Sequence, residues 1–428
     1  MQEKSSCEKG GETNVGKDPI VVGLDIGTTK ICAIVAEIAG DGSANIIGVG
    51  SSPSRGLRKG VVVNIESTVE SIKKAVEEAE LMAAVQINSV YTGIAGSHIA
   101  SESTHGVVAL KRREVTQTDV QRVIETARGG AVLQPDRRIL HVLPREFIID
   151  DQEGIQDPIG IAGSRLEVDV QIVSGAVTSA QTLIRCVNRA ELDVVDMVLQ
   201  PLASSEAVLS FEEKDLGTVM IDLGGGTSDV AIFIEGSIRH SSVIPIGGNH
   251  ITKDLTIGLK TAPADAEKIK IKHGMCTLEQ VQEDEMVEVP SVGGRPPRSV
   301  SQQLLAEIIQ PRVEEMFSLV QREIRRAGYE GMLVAGGVIT GGTSLLSGMP
   351  EAAERVLDLP VRVGGPIGIG GLQDIVSNPI FSTGVGLILY SMRHEPAGSQ
   401  RRGMGAGDHG GKISTALSRM KGWVMNVF

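Results

Sequence analysis

The amino-acid sequence predicts an α/β protein made of two similar lobes, and three observations carry that reading. Two stretches far apart in the chain repeat one pattern: a buried strand, Asp-x-Gly, a small polar turn, two more strands, then a helix. They begin at IVVGLDIGTTK and at TVMIDLGGGTSD. The leading strands are almost continuous apolar runs, as strands covered on both faces require. Finally, 52 glycines stand against one Trp, three Tyr and six Phe, an excess suited to sharp turns and close backbone approaches. At 428 residues the chain is too long for one compact core, and about two to four folding units are expected.

Each element follows in order. Residues 1–18 are polar without an apolar core, so they read as a disordered leader and not as a secretory signal. IVVGLDI, ICAIVAEI and ANIIGVG read as a β-meander. A capping box from Ser67 to Glu70 is expected to open a helix with Val69, Ile72, Val76, Ala79 and Met82 on one face. Residues 19–94 and 175–212 thus make the first lobe. Between them, 95–174 carry one helical piece, VTQTDVQRVIETA, and the strands RILHVLPREFII and RLEVDVQIVSGAV, enough for an inserted α+β subdomain. The second lobe takes 213–250 and 331–391, with a helix opening near Asn249. Residues 251–330 are charged and mainly helical around SVGGRPPRS. From 392 to 411 the chain is glycine-rich and polar without periodicity, a flexible linker. Helical character resumes over 412–428.

Composition excludes several classes. A net charge of −12 argues against nucleic-acid binding, which needs a basic surface to neutralise phosphates. No run of about 20 apolar residues exists to span a bilayer as a helix. Cys7, Cys32, Cys186 and Cys276 lack CxxC pairing and metal-ligand spacing, so they read as reduced thiols.

Three glycine-rich turns at strand ends point to phosphate chemistry. In the first, Asp25, Gly27, Thr28, Thr29 and Lys30, backbone amides and hydroxyls can cradle a terminal phosphate while Lys30 adds positive charge. In the second, Asp222 precedes Gly224, Gly225, Gly226 and Thr227, where backbone amides can approach phosphate oxygens without a Cβ in the way. The third, Gly341-Gly342-Thr343, follows MLVAGGVIT and opens a helix (TSLLSGM), where a ribose or phosphate can lie against the backbone. Asp25 and Asp222 end strands just before phosphate turns, where carboxylates can hold the waters around Mg²⁺.

This trio resembles the two phosphate motifs and the adenosine motif of the actin, Hsp70 and sugar-kinase superfamily. Within it, residues 19–392 are similar to the bacterial cell-division FtsA family. The stretches that carry the similarity are GLDIGTTK, RILHVLPREFIIDDQEGIQDPIGIAG, IDLGGGTSD, TAPADAEKIKIKHG and VEVPSVGGRPPRS. The resemblance implies an actin-like two-lobed ATPase fold with ATP and Mg²⁺ between the lobes. It implies that 95–174 is the family's own insertion, used for self-association into protofilaments, and that 251–330 docks the C-terminal peptide of FtsZ. It further implies recruitment of other divisome proteins at the septum, on the cytoplasmic side of the cell membrane. Glu267 and Lys270 fall where Hsp70-like relatives place adenosine contacts; a solvated helix face is the other reading. No motif names a general base for an attacking water.

Two further features bear on partners. Arg295 and Arg298 sit on the proline-stiffened loop, and arginines suit capture of an acidic peptide through bidentate contacts. At 100° per residue, Leu417, Met420, Trp423, Val424, Val427 and Phe428 share one face of the last segment. Lys412 and Arg419 border it on one side and Lys421 on the other, where their stems can snorkel toward anionic lipid. This reads as a membrane-targeting amphipathic helix, and it matches that family's tail. A small-molecule kinase would need a catalytic aspartate motif, which is not found. A chaperone would need a further peptide-binding domain. A pilus-assembly relative would lack SVGGRPPRS and the tail.

Overall fold

The computed structural model describes residues 19–281, 285–293 and 295–394. The leader, most of the linker and the segment 412–428, with all nine side chains assigned to the membrane, lie outside the described residues.

Strands β1 (Ile20–Ile26), β2 (Lys30–Ile38) and β3 (Ala44–Pro53) form the expected antiparallel meander. A short hairpin of β4 (Leu57–Arg58) and β5 (Val61–Val62) leads to helix α1 (Ile65–Ala83). The cap differs from expectation. Asn64, not Ser67, closes the N-terminus: its side chain accepts from the Ser67 amide at 3.1 Å, which puts Ser67 inside the first turn. The expected apolar face is buried, save that Met82 is about half exposed. α1 rests directly on β3 because Gly50 has no side chain; a Cβ there would lie 1.9 Å from the Ala75 carbonyl oxygen.

After β6 (Ser89–Ile94) come β7 (Ala100–Ala109), α2 (Gln117–Gly129), β8 (Arg137–Ile149), β9 (Gln152–Ile155) and β10 (Arg165–Ala176). β7 to β10 make their own sheet in the order β7-β10-β8-β9. Leu166, Val168, Val170 and Ile172 alternate onto the face that α2 covers, giving the insertion a separate core.

α3 (Val177–Arg189), β11 (Asp193–Leu199), α4 (Gln200–Val208) and α5 (Phe211–Leu216) return the chain to the first lobe. Then follow β12 (Thr218–Leu223), β13 (Ser228–Ile234), β14 (Ser237–Ile244), α6 (Gly248–Gly258) and α7 (Pro263–His273). A two-stranded ribbon, β15 (Met286–Val289) with β16 (Arg298–Ser301), precedes the long α8 (Gln302–Ala327). The chain closes with β17 (Gly337–Thr340), α9 (Met349–Leu357), β18 (Val361–Val363), β19 (Gly370–Gly371), α10 (Gln373–Val376) and α11 (Ser382–His394).

The repeat seen in the sequence is a repeat of topology. The first sheet runs β3-β2-β1-β6-β11, with β19 added at one edge; the second runs β14-β13-β12-β17-β18. In each, three strands are antiparallel and the two beyond the leading strand are parallel to it. α4 and α11 pack on each other and against both sheets. Gly386 brings them close, since a Cβ there would meet the Ala203 carbonyl oxygen at 1.9 Å. One apolar cluster joins Ile34 of the first sheet, Met220 and Phe233 of the second, and Val385 and Ile388 of α11. Among the described residues no helix is long and apolar enough to cross a membrane.

Candidate functional site

The leading strands β1 and β12 end at one cleft between the lobes. Its volume of about 410 Å³ lies in the range of small-molecule sites, roughly 300–1,000 Å³. All three glycine turns line it, with Asp25, Asp222, Glu267 and Lys270. Residues that the sequence separates by 318 positions, such as Asp25 and Thr343, are thus neighbours of one space.

The first two turns touch each other. A Cβ on Gly225 would lie 2.5 Å from Thr29 Oγ1, and one on Gly226 would lie 2.8 Å from Thr28 Oγ1. Two of the three glycines therefore make room for the opposing threonines, besides leaving the backbone bare. The second turn is held from behind: the Gly248 and Asn249 amides at the start of α6 donate to the Gly224 and Gly225 carbonyls at 3.0 and 2.8 Å. Thr343 of the third turn adds its hydroxyl to the Gly224 carbonyl at 3.0 Å.

Beneath the turns lie three carboxylates, Asp222 and Asp229 buried and Asp25 half-buried at the cleft wall. Asp25 accepts from Gln200 Nε2 at 3.1 Å, and burial pushes its acid up to about 6. Asp222 accepts from Ser204 Oγ at 2.8 Å and Thr383 Oγ1 at 3.3 Å; burial raises it too, against those hydrogen bonds and Lys30. Asp229, on β13, is raised well above the usual carboxylate range by burial, then by Asp222 and Asp25, and its Oδ1 has no hydrogen-bond partner. Three desolvated acids share one field and one keeps an orphaned oxygen; among the described residues no three such groups are placed to ligate one ion together, so a hard cation such as Mg²⁺ would be held here through its waters and a ligand's phosphates. Lys30 lines the same cleft, and its Nζ donates to the Ile380 carbonyl at 2.5 Å and stands 4.3 Å from the centre of the Phe381 ring.

Two details of the second lobe differ from the sequence reading. The segment after Gly341 is a 3₁₀ turn, Gly342–Leu345, and the α-helix begins only at Met349. Gly341 holds a left-handed φ of +82°, and a Cβ there would strike Asp222 Oδ1 at 2.3 Å. Lys270 is not on a solvated face. It is buried, with Nζ 2.8 Å from Glu267 Oε2, 3.0 Å from Thr252 Oγ1 and 3.2 Å from the Gly248 carbonyl. That network holds α7 against the start of α6 while Glu267 stays partly exposed to the cleft.

Arg295 and Arg298 are both exposed but belong to different elements. Arg295 is exposed in the loop. Arg298 opens strand β16 and donates to the Leu259 carbonyl, because pairing with Val289 draws it onto the ribbon.

Several cleft residues escaped the sequence reading, Gln200, Asp229, Thr383 and His98, as did Ser204, which holds Asp222 from behind. Gln200 had a usable signal, a polar residue following the strand DVVDMVL, whose last three residues are buried, just before a helix-opening proline. Asp229 closes IDLGGGTSD, yet its burial follows only from β13 being covered on both faces.

The duplicated sheets around a shared cleft define a class, the actin-like proteins, and known structures agree. The PilM-PilN type IV pilus biogenesis complex aligns with a TM-score of 0.63 at 15% identity, covering 88% of this chain and 99% of that one. MreB 5 of Spiroplasma citri bound to AMPPNP aligns at 0.55 and 14% identity, covering 87% and 96%. Residues 219–386 match the model of cell division protein FtsA, and residues 96–174 match the SHS2 domain inserted in FtsA. Cell division protein FtsA of Pseudomonas aeruginosa is 46% identical over 421 residues, 97% of this chain and 100% of the relative. That of Neisseria meningitidis is 46% identical over 413 residues, 95% and 98%, and that of Escherichia coli 45% over 378, 87% and 90%. The chain belongs to the FtsA family of cell division proteins.

Proposed function

We propose that this protein binds MgATP in the cleft, assembles into protofilaments on the cytoplasmic membrane face, and tethers FtsZ filaments there while recruiting other divisome proteins to the septum. The observation that supports it best is the contact of two glycine turns, Thr28–Thr29 against Gly225–Gly226, above the desolvated Asp25 and Asp222. A nucleotide's phosphates lie between backbone amides of both lobes in this reading, so binding reinforces the contact that the turns already make. Asp25 and Asp222 hold Mg²⁺ through its waters, with Asp229 behind them, and the ion supplies charge neutralisation at the phosphates. Glu267 and Lys270 border the adenosine end. MreB 5 of S. citri, bound to AMPPNP in its crystal structure, is a precedent for this fold. The docking subdomain offers Arg295 to the acidic C-terminal FtsZ peptide, and residues 412–428 anchor the whole at anionic lipid.

Sedimentation of the full chain on anionic vesicles, with and without MgATP and beside Asp222→Ala, tests the reading. ATP should increase the pelleted fraction, because filaments present many tails at once, and Asp222→Ala should abolish that increase. Pelleting that ignores ATP, or a variant that binds MgATP with parental affinity, overturns it.

A further inference from the structure

One polar side chain of the cleft wall is left without any use in the fold. His98 lines the cleft from the first lobe, and both of its ring nitrogens are buried with no hydrogen-bond partner. A neutral imidazole has one N–H to give and one lone pair to fill, so burying both unmatched is unfavourable unless a partner arrives. The backbone is shaped to keep the ring there. Gly96 adopts φ +127° and closes a turn with the Ile99 amide; a Cβ on it would lie 3.0 Å from His98 Nδ1. Gly175, where the chain returns from the insertion, would place a Cβ 3.6 Å from Cδ2.

The same wall reaches the first glycine turn. The Gly60 amide donates to Thr28 Oγ1 at 3.1 Å, and a Cβ on Gly60 would touch Gly96 Cα at 2.9 Å. His98 is therefore connected to the phosphate end of the cleft through Gly60 and Gly96, while Glu267 and Lys270 belong to the second lobe. Arg137, the nearest cation to the ring, gives its own hydrogen bonds to Ser174 at 3.2 and 2.8 Å. Burial and Arg137 both hold the ring neutral. Negative charge arriving in the cleft reverses that balance and draws a proton onto the imidazole.

We propose that His98 is a ligand-binding residue that donates a ring N–H to a phosphate oxygen held at the first glycine turn. The inference rests on the cleft being a nucleotide site, and the phosphate can be that of a nucleotide or free inorganic phosphate. Because His98 lies two residues before β7, the contact also ties the bound anion to the point where the chain enters the insertion.

The test is calorimetric titration of the full chain and two variants, His98→Leu and His98→Gln, with MgATP, MgADP, adenosine and inorganic phosphate. His98→Leu should weaken MgATP binding by about tenfold, the order of one charge-assisted hydrogen bond. It should leave adenosine binding and the melting temperature of the free protein unchanged, while His98→Gln, which keeps an N–H donor, should retain most of the affinity. Binding by the parent of inorganic phosphate but no nucleotide makes free phosphate the ligand. Parental MgATP affinity in His98→Leu assigns the ring's partner to water and overturns the proposal, as does equal weakening for adenosine and MgATP. A parent that binds none of the four removes the nucleotide reading itself.

Discussion

Thr28 and Gly226 face each other across the cleft so closely that a single added methyl would lie 2.8 Å from the threonine hydroxyl and methyl carbons. The two lobes are therefore matched at the level of one side chain. Gly226→Ala should push the turns apart and lower MgATP affinity by about tenfold or more, since misplaced phosphate donors lose much of their interaction. Gly40→Ala, where nothing lies within 4 Å, should bind as the parent does. Fluorescence titration with a labelled nucleotide checks both, and equal affinities would mean that the turns adjust freely.

Asp25 makes stability depend on pH. Its acid is raised to about 6 by burial, against an unperturbed value near 4. The folded state then holds the proton more tightly than the unfolded chain, so folding is penalised progressively as pH rises from about 4 through 6 and carries the full penalty above. The rise corresponds to about 3 kcal/mol. Asp25→Asn, whose amide oxygen still accepts from Gln200, should be more stable than the parent at pH 7.5, and the gap should close near pH 4.5. Urea midpoints across that range are the measurement; a gap independent of pH counts against a desolvated, titrating Asp25.

The docking arginines call for different variants. Arg298 supports the fold through the Leu259 carbonyl, so reversing its charge mixes folding with binding. Arg295→Glu alone should weaken an acidic FtsZ peptide by about 2 kcal/mol with an unchanged melting temperature. Parental affinity by fluorescence anisotropy would move the docking surface elsewhere in residues 251–330.

We propose that residues 412–428 attach the protein to the membrane. A chain ending at Gly411 should fail to pellet with anionic vesicles, and Trp423→Glu should pellet poorly, because burying that ring contributes up to about 3 kcal/mol. Added salt should weaken the parent, since Lys412, Arg419 and Lys421 contribute about 1 kcal/mol each near an anionic surface. If all three chains pellet alike, the anchor lies elsewhere.

The sequence by itself determined the strands, the meander order and the duplication, because these follow from local apolar runs and from glycine and aspartate at strand ends. IVVGLDI and TVMIDL read as strands because they are short apolar runs with β-branched residues, ended by glycine turns. It also located the three turns, but not their contact: Gly225 reads as bare backbone until Thr29 of the other lobe is beside it. The cap at Asn64 was missed because Ser67 and Glu70 mimic a capping box one turn inside the helix. For Lys270 the sequence left an adenosine contact and a solvated face both open, because its partners, Thr252 and the Gly248 carbonyl, come from another helix. Only tertiary structure decided the chemistry of Asp229 and His98. Burial and the absence of a partner are properties of the space around a side chain, and that space is assembled from residues far apart in the chain.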